Sequence, residues 1–423
     1  MTDAIPSSPD KDAGIAPPAR RIAHLDMDAF FASVELLRYP QLKGLAVVIG
    51  ASRAAMEAAW SRHPPEMLPS DLPVRDFPVL RDYVGRGVIS TASYEARQFG
   101  VGSAMGLMKA AKLCAHAICL PSDFDQYRSY SRQFKAVIRD IAPVVEDRGI
   151  DEVYIDFTQV PGGQREGGRV LARLIQKGIQ DATHLTCSIG VAPNKLLAKM
   201  ASEFNKPNGI SILKEADIQA QIWPLNCRKI HGIGPRMEEK LAKQGIVRIG
   251  ELAARSETWL QEHFGQSYGR WLHAAAWGRD ERPVVTESEP VSISRETTFE
   301  RDLHAVRDRA ELGAILDRLC EQLAADLQRK AYVGKTIGIK LRYDDFKIVT
   351  RDQTIETAVS NQHDIRRVAG QCLKRVDLTR RLRLLGVRVG SLFGVDADGA
   401  LREKVSGSRK IDGGESRMPD LFS

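Results

Sequence analysis

The sequence predicts an α+β protein of several domains, and three observations carry that expectation. At 423 residues the chain is too long for one core, given the usual ~100 to 200 residues per domain. Strand-like apolar runs are mixed with runs at helical spacing. A stretch without period and with two prolines, RPVVTESEPV (282–291), separates a region of short helices from a further block of strands and helices.

Composition narrows the class. Hydrophobic residues make up 43% and charged residues 27%, which excludes global disorder. Lys and Arg exceed Asp and Glu by 61 to 54, a formal charge of +7 that permits a polyanionic partner without requiring one. The six cysteines include no C-x-x-C pair, so neither a zinc ribbon nor a disulfide framework is expected. No segment reaches the ~18 apolar residues that span a bilayer, and the N-terminal stretch has no apolar core of a secretory leader. A cytoplasmic protein is therefore expected.

Residues 1–19, rich in Pro, Ala, Ser and Asp, read as a disordered tail. RIAHLDMD then begins as a strand and AFFASVELL continues as a helix, so that Asp26 and Asp28 fall where the strand ends. LAVVIG (45–50) is a second strand, and GVISTASYEARQFG (87–100) is a short strand leading into a helix. Between them, residues 51–86 carry five prolines and little period, which predicts a flexible excursion. APVVEDRGIDEVYIDFT predicts a β-hairpin whose bend carries Asp151 and Glu152. TCSIGVAPNKLLAKMASEFNKPNG predicts a strand, a turn and a helix from about Asn194 that stops by Pro207. Short helices follow from 212 to 278, including the G-I-G turn at Gly232 to Gly234. The last block predicts strand, helix, strand, helix, strand, with a polar tail.

Two acidic pairs at strand ends far apart in sequence can converge, and such a group is costly to desolvate unless a cation compensates. Mg²⁺ suits it, being a hard ion that takes one or two carboxylates and leaves its other positions to water and phosphate. A single D-x-D or D-E pair is nonetheless most often a solvated turn. Tyr94, Arg97 and Lys195 together suit a triphosphate, by hydroxyl, guanidinium fork and point charge, although Arg97 or Lys195 alone reads more readily as an ordinary surface charge. Gly232 and Gly234, with Lys229 and Arg236 nearby, either bring backbone amides close to a DNA phosphate or form a tight interhelical turn. Arg366, Arg367, Lys374, Arg375, Arg380, Arg381, Arg383 and Arg388 concentrate positive charge in the last block, as a nucleic-acid track or a solvated face.

Five ordered segments, HLDMDAFFASVE, VISTASYEARQFGVGSAM, IDEVYIDFT, GVAPNKLLAKMASEFNKPNG and IHGIGPRMEEKL, make the chain resemble the Y-family DNA polymerases, in the bacterial DinB or DNA polymerase IV branch. The resemblance spans residues 20–393. It implies a right hand: palm 20–29 and 123–202, fingers 30–122 including the 51–86 insertion, helical thumb 203–282, linker 283–290, and a separate α/β little finger 291–393, with a flexible tail over 394–423. It further implies that Asp26 and Asp151 bind two Mg²⁺ ions, that the Met27 carbonyl is a backbone ligand, and that Glu152 is the catalytic glutamate. Tyr94, Arg97 and Lys195 match the triphosphate contacts, helped by backbone amides near Ala29 to Phe31, and Phe31 matches the steric gate against ribonucleotides.

By the same resemblance the activity is template-directed DNA synthesis past damaged bases, of low fidelity and without a proofreading exonuclease. The partners are primer–template DNA and deoxynucleoside triphosphates, and the enzyme is a monomer. The C-terminal RMPDLFS resembles peptides that dock in the bacterial sliding clamp, with Met418, Leu421 and Phe422 as its contacts. Departures from the pattern are Gly149 in place of a serine, the 51–86 insertion, and Arg417 in place of the usual glutamine of the clamp peptide. An accessory protein that had lost catalysis is disfavoured by the retained acids, and a nucleotidyl cyclase by the thumb turn and basic last block.

Overall fold

A computed structural model of the chain describes residues 18–396 and 400–402. Most of the predicted N-terminal tail and the whole clamp-like peptide, with Met418, Leu421 and Phe422, lie outside the described residues. The chain forms two compact units: residues up to Tyr83 with Gly87–Glu287, and Val84–Arg86 with residues from Ser288 onward.

The first unit opens with β1 (Ile22–Met27) and α1 (Phe30–Arg38), joined through Ala29 in a left-handed conformation at φ 44°. Then come β2 (Val47–Ala51), α2 (Arg53–Trp60), β3 (Thr91–Ala92), α3 (Tyr94–Gln98), α4 (Leu107–Leu113), β4 (Ile118–Pro121) and α5 (Phe124–Ile141). The predicted hairpin is β5 (Val145–Asp147) and β6 (Glu152–Asp156), antiparallel with Val145 opposite Ile155. It is followed by α6 (Arg169–Thr183), β7 (Cys187–Ala192), α7 (Lys195–Ser202) and β8 (Ile210–Ile212). Four short helices close the unit: α8 (Pro235–Lys243), α9 (Ile249–Ala253), α10 (Glu257–Phe264) and α11 (Gln266–Ala276).

The main sheet has five strands in the order β5-β6-β1-β7-β8. Its middle strand, β1, is antiparallel to both neighbours. Strand alternation sends Ala23, Leu25 and Met27 to one face, where Phe134 and Ile138 of α5 and Ile175 and Ile179 of α6 cover them. Ile22 joins the opposite core with Leu196, Leu197 and Met200 of α7. The even positions His24 and Asp26 share that second face. α7 approaches closely because Gly190 of β7 has no side chain; a Cβ there would lie 2.2 Å from the Ser202 amide.

The 51–86 insertion is ordered, which corrects the expectation of a flexible excursion. It forms α2 and three single 3₁₀ turns, and buries Met56, Leu72 and Phe77 in the main core and Leu80 in that of the β3-β2-β4 sheet. The Phe77 ring meets Tyr39 edge-on at 5.2 Å. Gln41 donates to the carbonyls of Pro69 and Leu72 at 2.8 and 3.0 Å, and the Leu80 amide donates to Ala117 at 2.9 Å. Prolines at the turns fix φ and remove donors, so a segment without helical or strand period still packs.

The second unit contains β9 (Ser292–His304), α12 (Arg309–Arg329), β10 (Tyr332–Tyr343), β11 (Ile348–Val359), α13 (Gln362–Leu373) and β12 (Arg381–Gly394). The sequence reading missed β11, the edge strand of a four-stranded antiparallel sheet ordered β11-β10-β12-β9. Both helices pack on one sheet face, over Ile337, Ile339, Leu341, Val387 and Val389. Every core of the molecule holds a buried cysteine: Cys187 in the main core, Cys227 among the short helices, Cys114 and Cys119 beside the small sheet, and Cys320 and Cys372 in the second unit.

Candidate active site

Strand pairing assembles the acidic group. Asp26 stands opposite Glu152 in the β1–β6 register, and the Met27 amide donates to the Asp151 carbonyl at 3.0 Å. The end of β1 and the start of β6 therefore bring the backbones of Asp26, Asp151 and Glu152 to one end of the sheet, although sequence separates them widely. Burial, then the Glu152 charge, pushes the Asp151 carboxyl above its ordinary range. Burial also pushes Asp26 up, while Lys206 opposes and Asp151 reinforces the shift.

The two aspartates of the D-x-D run play different parts. Asp28 is buried, and its carboxylate accepts from Ser188 Oγ at 2.7 Å, the Asn208 amide at 2.8 Å and Tyr94 Oη at 3.4 Å. With its oxygens engaged in this way it ties β1 to β7 and to the loop after α7. Asp26 and Asp151 keep the more open positions.

The face shared with α7 supplies cations and an imidazole that the sequence reading did not single out. Lys206 Nζ lies 2.9 Å from Asp26 Oδ1 and 2.6 Å from Glu203, and Lys199 pairs with Glu152. His24 is fully buried, with Nδ1 2.8 Å from Ser202 Oγ and Nε2 3.2 Å from Glu152. Burial alone would raise the Glu152 carboxyl, but the His24 hydrogen bond and the Lys199 charge outweigh it and hold the group well below the usual carboxylate range. Burial likewise opposes the Lys206 charge, and Asp26 and Glu203 more than restore it.

Lys195 is not brought to this group. It is buried and donates to both oxygens of Glu146, at 2.7 and 2.5 Å, and to the Pro283 carbonyl at 3.3 Å. The reason is topological. α7 runs back along β7, so its first residue lies by the far end of that strand, while its last turn and the following KPNG loop return to Cys187, the register partner of Met27. Lys206, in that loop, is the lysine that stands beside Asp26.

Tyr94 and Arg97 sit on α3, whose first turn is capped by Ser93 Oγ accepting from the Ala96 amide at 3.3 Å. The Arg97 guanidinium lies 4.8 Å from the Tyr94 ring centroid and donates to the Ala92 carbonyl at 3.0 Å. Burial, then Asp28, pushes the Tyr94 hydroxyl up to about 12, which keeps it a hydrogen-bond donor at neutral pH. On α1, Phe30 and Phe31 are both buried. Phe31 stacks on Tyr127 at 4.2 Å and 10°, and Tyr127 Oη donates to the buried Glu35 carboxylate at 2.7 Å. The N-cap position of α1 is Ala29, whose side chain makes no cap hydrogen bond.

The G-I-G turn precedes α8. Gly232 has φ 113° and lies so close to Trp271 that a Cβ would stand 2.8 Å from the indole; Gly234 has open space around it. Ile233 is buried, whereas both glycines, Lys229 and Arg236 are exposed. In the second unit the predicted basic residues divide: Arg366 and Arg367 belong to α13, and Arg381, Arg383 and Arg388 to β12.

The carboxylate oxygens fit a hard divalent cation in chemistry, although no group of three His, Cys, Asp or Glu side chains among the described residues is already gathered as a metal cluster. Among the described residues, no helix is long and apolar enough to cross a membrane.

The sequence and fold have known counterparts. The impB/mucB/samB family matches residues 25–203, its C-terminal domain 290–403, and its helical HHH motif 215–246. A DNA polymerase IV of Streptomyces coelicolor is 37% identical over 88% of this chain and 71% of that protein. One from Xanthomonas axonopodis pv. citri is 36% identical over 92% and 98%. Among solved structures, a Y-family DNA polymerase chimera of Dbh and Dpo4 superposes with a TM-score of 0.73 at 25% identity, covering 88% of this chain and 98% of its own. An insertion ternary complex of Dbh DNA polymerase gives 0.59 at 24% identity with the same coverage. The chain belongs to the Y-family of DNA-directed DNA polymerases, in the branch whose curated relatives are named DNA polymerase IV.

Proposed function

We propose that the chain is a Mg²⁺-dependent, template-directed polymerase that copies past damaged bases with low fidelity and without proofreading. The observation that carries this reading is the register of β1 against β6, which sets Asp26 opposite Glu152 and hydrogen-bonds the Met27 amide to the Asp151 carbonyl. Asp26 and Asp151, with the Met27 carbonyl and Glu152 completing the donor set, would hold two Mg²⁺ ions, which would supply charge neutralisation for in-line nucleotidyl transfer.

The chain's own groups position the reactants. Tyr94 and Arg97 donate to the triphosphate, and Lys206 rather than Lys195 is the lysine that joins them, since it already stands beside Asp26. Backbone amides near Ala29 to Phe31, at the start of α1, add donors for the same anion. Phe31 presents its ring to the sugar, where a 2′-hydroxyl would meet neither space nor a partner. Gly232, Gly234, Lys229 and Arg236, with the basic groups of the second unit, hold duplex backbone without reading sequence. Met418, Leu421 and Phe422 engage the sliding clamp, and the enzyme works in the cytoplasm as a monomer.

Primer extension on undamaged and damaged templates tests the reading. The wild type extends both, and Asp151→Asn loses about 10²-fold or more in rate. Extension by Asp151→Asn at the wild-type rate refutes the site.

A further inference from the structure

The sheet of the second unit buries one face under α12 and α13; the other face carries a repeated arrangement of charge. Two register rows matter. In one, Asp352 of β11, Gly338 of β10 and Arg388 of β12 lie side by side. In the next, Lys340 of β10, Gly386 of β12 and Glu296 of β9 do so. In each row an acid and a base reach across an intervening strand and pair over its glycine. Arg388 Nε donates to Asp352 Oδ1 at 3.2 Å, with a second contact from its Nη2, and Lys340 Nζ lies 2.7 Å from Glu296 Oε2. Added side chains would obstruct both pairs: a Cβ on Gly338 would fall 1.8 Å from the Asp352 carboxylate, and one on Gly386 2.9 Å from Glu296 Cβ.

These pairs are accessible. The Arg388 and Asp352 side chains are 30% and 36% exposed, and those of Lys340 and Glu296 28% and 43%. An ion pair so open to water is held weakly, and a phosphate that also releases counterions competes for its base. Resting on the proposed grip of duplex backbone by this unit, we infer that Glu296 and Asp352 act as built-in phosphate mimics. They occupy Lys340 and Arg388 on the open sheet face, so that DNA must displace them and duplex affinity is held down.

The pairing gives the acids and bases opposite effects on binding. Loss of a base removes a phosphate contact. Loss of an acid frees the base and removes a carboxylate that repels the backbone.

Equilibrium binding of the full chain to a fluorescein-labelled, 3′-recessed primer–template duplex, followed by anisotropy across a salt series, tests this. Glu296→Gln and Asp352→Asn, near-isosteric changes, are each expected to tighten binding about three- to tenfold at low salt. Lys340→Ala and Arg388→Ala are expected to weaken binding and to reduce the salt slope by about one each. A merely structural role for the acids would lower the thermal midpoint and leave affinity unchanged or weaker. If the acid variants bind no tighter while the base variants weaken, the mimic inference is overturned and the grip stands. If none of the four variants changes affinity, this face does not hold DNA and the grip reading fails there as well.

Discussion

Phe31, proposed above as the gate against ribonucleotides, lies ring on ring with Tyr127, whose hydroxyl donates to the buried Glu35 carboxylate. Phe31→Ala is expected to raise ribonucleotide incorporation about tenfold or more, read by primer extension with ribonucleoside triphosphates; an unchanged sugar preference would refute its assignment. The two lysines separate cleanly at this scale. Lys206→Ala is expected to raise KM for the incoming nucleotide and lower kcat, because the cation beside Asp26 is lost. Lys195→Ala removes the nearer cation of the buried Glu146 carboxylate, which keeps Arg148 at 3.5 Å and the Val285 amide at 2.8 Å, and is expected to lower stability by about 1–3 kcal/mol, measured by denaturant unfolding. Gly149, where the family pattern has serine, has ordinary space for a Cβ, the nearest atom being Asp151 Oδ1 at 3.6 Å. The departure therefore leaves the acidic group intact.

Among elements, α7 shows how a helix start is fixed from outside itself. Asn194 caps it through the Leu197 amide at 3.0 Å and donates to the Gly278 carbonyl at 2.7 Å, while Asp280 accepts from the Leu196 amide at 3.0 Å. Burial would raise the Asp280 carboxyl, but Arg282 and the backbone donors hold it below its ordinary value. A depressed folded pKa means stability that is present above the unfolded value, near 3.9, and lost as pH falls through the lower folded one. Asp280→Asn is expected to cost about 1–3 kcal/mol at pH 7 and to flatten the acid limb of the stability profile below about pH 4.

The elements also show what was legible in sequence. β1, the β5–β6 hairpin and α7 could be read because apolar periodicity and turn residues agree there. β11 escaped because it is an edge strand with Thr350, Asp352 and Thr354 on its exposed side, leaving little hydrophobic alternation. The insertion escaped because, apart from Met56 on the short helix α2, its buried residues Leu72, Phe77 and Leu80 lie in or just after single 3₁₀ turns, which have no sustained period. At the site, Asp26, Asp151 and Glu152 stood out as acids at strand ends. His24, Lys199 and Lys206 did not, since their importance depends on which strand end a returning helix reaches.

For the whole molecule, binding of duplex should weaken steeply with salt, as expected of contacts made mainly to phosphate. Removal of Met418 to Ser423 is expected to abolish stimulation by the clamp while leaving clamp-independent extension unchanged; retained stimulation would refute the docking peptide. The placement of the thiols gives each region its own reporter. Burial pushes Cys119, Cys227 and Cys320 up to about 12, so they are protonated and shielded while their surroundings stay closed. An alkylating reagent can mark one of these sulfurs only after the packing around it opens. Mass-spectrometric mapping of the adducts would then rank the cores by how readily each breathes, with no engineered label.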